Sequence, residues 1–329
     1  MLVFIGVPIS FSIGIATVAS MLLMFPWDIA AITVSQRLAN GLDNFALLAI
    51  PFFIFAGTLM NSGGIAIRLI NLAQVMVGRV PGSLGHVNVL ANMMFGSISG
   101  SAVAAAAAVG GTLNPIQTKE GYDPAFSTAV NVSSCITGLL IPPSNVLIVF
   151  SLTAGGVSVA SLFMAGYLPG ILMGLAVMIV CGIIAKRRGY PLSERATFAQ
   201  ACKAFLDALP SLLLVFIVMG GILGGILGGI FMDMTPAVLI FTPIFLPIAQ
   251  ELGMDPVHFG IMMVANLCIG LLTPPVGSAL FVGCSISGVK IQHLIKPLLL
   301  FYAALLVALM MITYIPQISL FIPQLLGLM

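Results

Sequence analysis

The residues of this chain that can hold a ligand are few, almost all neutral, and set beside helix breakers. Ser97, Ser99 and Ser101 alternate around Gly100 in the run FGSISGS. Ser144 and Asn145 follow Pro142-Pro143 in GLLIPPSN, which opens at Gly138. Asp233 and Thr235 lie in MDMTP, and Thr273 sits between Gly270 and Pro274 in GLLTPPVG, which ends on Val276-Gly277. Proline in an apolar helix removes an N–H donor and frees a carbonyl. Freed carbonyls suit a cation such as Na⁺, and the N-terminus of a half-helix attracts an anion. Bond-making chemistry has no comparable support. There is no G-x-S-x-G, H-E-x-x-H or P-loop pattern. The three histidines (His86, His258, His293) lack metal-ligand spacing. The five cysteines (Cys135, Cys181, Cys202, Cys268, Cys284) form no C-x-x-C pair and read as small buried hydrophobes. Enzymatic activity and an organic cofactor are not expected.

The elements that must position these residues lie in a bilayer. Of 329 residues, 60% are hydrophobic and 6% charged, against about 25% charged in a soluble domain. A net charge of +2 with no basic stripe argues against a nucleic-acid partner. A spanning helix needs roughly 20 apolar residues. Uninterrupted runs of that kind are Leu2–Phe25, Ser161–Ala185, Leu206–Phe231 and Leu294–Ile315, with a shorter one at Phe45–Met60. The first lacks a basic start and a cleavage site, so it reads as a retained helix rather than a signal peptide. Elsewhere Gly, Pro, Ser and Asn cut the apolar sequence, and such cuts survive at membrane depth only where protein or a polar cavity satisfies them. Lys186, Arg187, Arg188, Arg195 and Lys203 crowd one loop, which the positive-inside rule places in the cytoplasm. Ile65–Pro81, with Arg68 and Arg79 among apolar residues, is either an amphipathic surface helix or a solvated connector.

The chain also repeats itself with an offset of 132 residues. Asp123-Pro124 returns as Asp255-Pro256, Pro115 as Pro247, and the G-L-L-x-P-P of Gly138–Pro143 as Gly270–Pro275. Repeated halves with broken helices mark secondary transporters, whose sites sit at the breaks near the midplane. Two re-entrant hairpin tips, Ser97–Ser101 and Met232–Pro236, facing two unwound segments would make one compact site. Asp233 is the only charge between Asp207 and Glu251; it is an ion ligand, an organiser of the tip, or, with Thr235, a helix cap. The three serines are ligands or caps and packing residues. The glycine rows of Gly220–Gly229 read as helix-packing surfaces.

At these motifs the chain resembles the large membrane subunit of a tripartite ATP-independent periplasmic (TRAP) transporter. The resemblance is carried by GVPISFSIG (Gly6–Gly14), LLAIPFFIFAGTLMNSGGIA (Leu47–Ala66), VPGSLGHVNVLANMMFGSISGSAVA (Val80–Ala104), KEGYDPAF (Lys119–Phe126), IPPSN (Ile141–Asn145), LFMAGYLPG (Leu162–Gly170) and the block Met232–Gly277. It implies an all-α polytopic membrane protein, an inverted-repeat elevator-type transporter with two re-entrant hairpins and two broken helices. It implies Na⁺ as coupling ion and an organic acid anion as substrate, such as a C4-dicarboxylate, a sialic acid or another sugar acid. The implied partners are a small four-helix membrane subunit and a periplasmic substrate-binding protein, in the cell inner membrane. By motif, the Na⁺ ligands would come from Ser97, Ser99, Gly100, Ser101, Gly138, Pro142, Ser144, Asn145, Asp233, Thr235, Gly270, Thr273, Pro274, Val276 and Gly277, with substrate between Ser99, Asn145, Thr235 and Gly277.

The corresponding division is 1–82 for first-repeat scaffold helices, 83–157 for the first hairpin and broken helix, 158–205 for a connecting span and the basic loop, 206–290 for the second hairpin and broken helix, and 291–329 for a C-terminal span. Two departures stand out. Ala105 occupies a position where many relatives carry an acid. The chain is also shorter than such subunits by on the order of a hundred residues, the equivalent of several spans, with the gap near Gly224–Gly229. Three rivals remain: an ion channel, for which no filter loop or ring of charge is present; a non-transporting or degenerate membrane scaffold; and a stand-alone Na⁺/anion symporter.

Overall fold

In a computed structural model the chain is described over residues 9–42, 64–78, 80–155, 157–192, 199–209, 235–273 and 277–328. The named helices there are α1 (Ile9–Met24), α2 (Trp27–Leu42), α3 (Ile65–Val77), α4 (Ser83–Ser99), α5 (Ala102–Lys119), α6 (Pro124–Cys135), α7 (Asn145–Thr153), α8 (Val159–Arg188), α9 (Thr235–Glu251), α10 (Pro256–Gly270), α11 (Ser278–Ser287), α12 (Ile291–Tyr314) and α13 (Gln317–Leu325). Among the described residues there is no strand, only an isolated bridge between Pro81 and Leu192. The expected spans at Ser161–Ala185 and Leu294–Ile315 are α8 and α12, both long and apolar enough to cross a membrane. Leu2–Phe25 is helical over its described part as α1. Phe45–Met60 and most of Leu206–Phe231 lie outside the described residues.

The duplication read from sequence is a duplication of structure. The helices pair as α5 with α9, α6 with α10, α7 with α11 and α8 with α12, and each pair of starts matches the 132-residue offset to within one residue. The shared Asp-Pro has a local cause. Asp123 accepts from the Ala125 N–H at 3.0 Å, and Asp255 from those of Val257 and His258 at 2.7 and 3.3 Å. Each caps a helix whose first residue is proline, which has no N–H to satisfy.

The packing exchanges between repeats. Helix α7 lies against α9 while α11 lies against α5, and α8 lies against α10 while α12 lies against α6. Each broken helix is thus enclosed by the other half. Small residues make this possible: a methyl on Gly283 of α11 would come within 2.2 Å of Val132, and one on Gly260 of α10 within 2.4 Å of Phe150. Burial follows the same logic. Phe95, Phe126, Phe150 and Phe301 are fully enclosed, while Leu299, Leu306 and Val307 of α12 stay exposed on a face that suits lipid.

Within Ile65–Pro81 the chain forms helix α3. Ala66, Leu69, Ile70, Leu72 and Ala73 are buried, and Arg68, Asn71 and Gln74 are exposed, so it is amphipathic, with α4 as its main neighbour. At the far end of α8, Arg188 pairs with Asp123 at 2.5 Å, and the Tyr190 hydroxyl accepts from the Asp123 N–H at 3.2 Å. Tyr122 stacks on Tyr190 with ring centroids 4.4 Å apart. Burial pushes the Tyr122 hydroxyl up to about 12, which keeps it a neutral donor toward the Pro191 carbonyl at 3.5 Å. The start of the basic loop is thereby fixed over the α5–α6 turn.

Candidate functional site

The first hairpin tip is built by complementary caps. Helix α4 stops because Gly100 takes a left-handed conformation (φ 62°), its N–H donating to the Gly96 carbonyl at 2.9 Å. Helix α5 starts because the Ser101 hydroxyl accepts from the Ala104 N–H at 3.2 Å. Ser97 donates to the Met94 carbonyl at 2.8 Å, and the Ser99 hydroxyl lies 3.4 Å from both the N–H and the carbonyl oxygen of Ser101. The capping reading therefore holds for Ser101, and Ser97 also has a local partner. Neither bond uses all the lone pairs of its oxygen.

Across from this tip lies the first break. After α6 a short 3₁₀ turn, Thr137–Leu139, leads into the cis Pro142-Pro143 bond, and α7 begins at Asn145. A Cβ on Gly100 would meet the Asn145 side chain at 2.7 Å from Nδ2 and 3.2 Å from Oδ1. The Asn145 amide thus rests on the tip, and the structure places Gly100 and Asn145 side by side. Ser144 Oγ and Asn145 Oδ1 are both buried and have no hydrogen-bond partner. Other buried polar atoms also lack a partner, among them Ser127 Oγ, Ser133 Oγ and both Asn114 amide atoms; these two differ in that they adjoin one helix break.

Gly138 has a further reason to be glycine. A Cβ there would fall 2.7 Å from Gly96 Cα and 2.9 Å from the Asn92 carbonyl oxygen. The two backbones touch, and the tip is held against the break at that point.

The second site half is described in part. Thr235 is the first residue of α9, so MDMTP does open a helix. Asp233, Pro274 and Val276 lie outside the described residues, as does the side chain of Thr235. In the second break the Thr273 hydroxyl donates to the Ile269 carbonyl at 3.1 Å and accepts from the Tyr302 hydroxyl at 2.9 Å. The Gly277 N–H donates to the Thr273 carbonyl at 2.9 Å, and a Cβ on Gly277 would lie 2.8 Å from the Leu271 oxygen. Gly277 permits this tight turn, whereas a Cβ on Gly270 would meet nothing within 4 Å. Among the described residues no cluster of His, Cys, Asp and Glu suits a metal ion.

Sequence reasoning missed a buried polar network behind the first tip. Asn92 on α4 shares its Nδ2 protons among Asn88 Oδ1 (2.7 Å), Ser134 Oγ (2.8 Å) and Asn131 Oδ1 (2.9 Å). Asn131 on α6 donates to the Ala106 carbonyl of α5 at 3.0 Å, and Thr137 donates to the Ser134 carbonyl at 2.7 Å. All five side chains are fully buried. A Cβ on Gly110 would lie 2.2 Å from Asn131 Nδ2, so that glycine makes room for the amide. The available signal was asparagine four residues from asparagine in an apolar helix, which places both on one face. At the equivalent positions of the second repeat stand Met263 and Thr242, in contact at 3.9 Å through sulfur and hydroxyl.

Comparison with known proteins bears on this geometry. The family model described as the tripartite ATP-independent periplasmic transporter, DctM component, matches residues 1–228 and again 225–318. The chain is 48% identical to a protein of Salmonella typhimurium named as the uncharacterized protein YgiK, over 98% of this chain and 94% of the other. It is 32% identical to the C4-dicarboxylate TRAP transporter large permease protein DctM of Pseudomonas aeruginosa, over 96% and 95%. It is 29% identical to the sialic acid TRAP transporter large permease protein SiaM of Vibrio cholerae, over 98% and 96%. These alignments run to 410, 407 and 414 residues against a chain of 329. The relatives therefore carry internal residues that this chain lacks, and the family match divides at 225–228.

Proposed function

We propose, since this chain belongs to the DctM component family of the tripartite ATP-independent periplasmic transporters, that it is the Na⁺-coupled membrane subunit through which a small organic acid is imported. The chain is a transporter permease and not an enzyme. The observation that carries the coupling reading is the pair of orphaned oxygens, Ser144 Oγ and Asn145 Oδ1, buried at the first break against the Gly100 tip. Na⁺ takes hard oxygen ligands, and a broken helix offers them together with carbonyls that proline leaves without a donor. The neutral side chains of Ser97, Ser99 and Ser101 add hydroxyl oxygens without the charge that would make burial costly. In this reading the remaining ligands are Gly138, Pro142 and, in the second half, Asp233, Thr235, Gly270, Thr273, Pro274, Val276 and Gly277.

The named relatives handle sialic acid and C4-dicarboxylates. A carboxylate is common to both, so the substrate of this chain is an organic acid anion held between Ser99, Asn145, Thr235 and Gly277. A periplasmic binding protein delivers it, a small four-helix subunit supports the chain in the inner membrane, and the exchanged packing of the two repeats moves as an elevator. Uptake in proteoliposomes with both partners is the test. Substrate entry should follow an inward Na⁺ gradient, and Ser99→Leu or Thr235→Leu should raise the Na⁺ concentration required. Uptake indifferent to Na⁺ in the unsubstituted chain would remove the coupling.

A second reading is favoured by one observation, the family match that divides at 225–228 while relatives continue. The second repeat retains its hairpin and broken helix but not the scaffold helices that precede them in longer relatives. A chain of this form binds ion and substrate and transports poorly on its own.

A further inference from the structure

The two breaks are related by the repeat, but their supports differ in chemistry. In the first repeat, Ile141 of the break packs on Gly170 of α8, where a Cβ would lie 2.5 Å from Ile141 Cγ1. The 132-residue offset carries Ile141 to Thr273 and Gly170 to Tyr302 of α12. The same two positions touch in the second repeat, yet there they are joined by a hydrogen bond between hydroxyls at 2.9 Å. An apolar contact in one half has become a polar one in the other.

The geometry fixes what this bond does to Thr273. A threonine hydroxyl has one proton and two acceptor positions. Its proton goes to the Ile269 carbonyl at 3.1 Å, and the Tyr302 hydroxyl occupies one acceptor position. One lone pair remains, in a direction set by the other two bonds. Thr273 is exposed and Tyr302 half-buried. At the first break no such support exists, and the unpartnered oxygens belong instead to Ser144 and Asn145.

We infer that Tyr302 is a positioning residue for the second break: its hydroxyl orients the Thr273 hydroxyl for Na⁺ and gives that half of the site its own ion affinity. The inference rests on the reading of Thr273 as a Na⁺ ligand. Tyr302 does not touch the ion. It acts through Thr273, and loss of its hydroxyl frees that side chain to rotate.

The test uses the purified full chain in detergent and reads thermal unfolding against increasing NaCl, with KCl at matched ionic strength. Transport is not needed. Tyr302→Phe should raise the half-saturating Na⁺ concentration roughly three- to tenfold, the range one neutral hydrogen bond supports, beyond whatever the lost bond takes from the unfolding midpoint in KCl. Thr273→Val should raise it as much or more, and Thr273→Ser should keep it near that of the unsubstituted chain. The double variant Thr273→Val, Tyr302→Phe should be no worse than Thr273→Val alone, because the phenol acts only through the threonine. A shift for Thr273→Val with none for Tyr302→Phe would overturn the positioning role and leave the ion site standing. Additive shifts would overturn it as well, by giving Tyr302 an independent effect. Absence of any Na⁺-specific stabilisation in the unsubstituted chain would overturn both the ion site and this inference.

Discussion

At the scale of single residues, the decisive groups are the glycines that let polar groups meet. Gly100 is constrained twice, by a left-handed backbone and by the Asn145 amide against it. Gly100→Ala should cost about 1–2 kcal/mol from the backbone alone. It should also push Asn145 off the tip, so Na⁺ stabilisation of the purified chain should fall together with its unfolding midpoint. A midpoint drop with Na⁺ stabilisation intact would separate the tip from the ion. Asn92 is the hub of the buried network, and Asn92→Leu would leave Asn131 Oδ1 and Ser134 Oγ without its protons. Interhelical hydrogen bonds in membrane proteins average about 0.6 kcal/mol when measured in pairs, but orphaning buried groups costs about 1–3 kcal/mol. The partners here stay buried in protein, so the larger figure governs. Thermal unfolding of Asn92→Leu beside the double variant Asn92→Leu, Asn131→Leu checks it, and the double variant should recover part of the loss.

At the scale of elements, the two Asp-Pro helix starts offer an internal comparison. Asp255→Ala removes a cap, at about 1 kcal/mol. Asp123→Ala removes a cap and the Arg188 pair, whose side chains are 44% and 37% exposed. A pair that open to solvent contributes at most about 1 kcal/mol, and less in salt. Asp123→Ala should therefore be the more destabilising of the two by a margin that narrows as KCl is raised. Equal unfolding midpoints at every salt concentration would show that the pair contributes nothing. The same turn anchors the start of the basic loop, through Tyr190 and Pro191 against Asp123 and Tyr122. With the native cysteines removed, a cysteine introduced by Ser193→Cys should resist a membrane-impermeant thiol reagent in intact cells. Rapid labelling from outside would invert the orientation.

At the scale of the whole molecule, the second repeat is the open question. Its helices α9, α10 and α11 pack against α7, α8 and α5. Movement is another matter: the elevator proposed above would need a fixed frame on both sides. On the second reading, the chain with a small membrane subunit and a binding protein binds Na⁺ yet shows little uptake. Inserting the scaffold segment of a longer relative between Gly225 and Gly229 should restore uptake in the same vesicles. Robust Na⁺-driven uptake without the insertion would refute this.

The sequence by itself determined the solvent, the class and the repeat. Composition required lipid, proline pairs located the first break, and Asp123-Pro124 with Asp255-Pro256 marked the repeat. All of these are local or compositional properties, readable without knowing what touches what. A capping role for Ser101, as one alternative for the three serines, was legible for the same reason. Which residues face one another was not. The Asn88–Asn92–Asn131–Ser134 network joins positions tens of residues apart, and each asparagine alone looks like a tolerated polar residue in an apolar helix. Gly138 read as a ligand position by motif, and only its approach to Gly96 shows that two backbones meet there. Tyr302 carried no signal at all, because its meaning lies in a hydroxyl on another helix. Long-range proximity is set by packing of the whole chain, and that is what the tertiary structure decided.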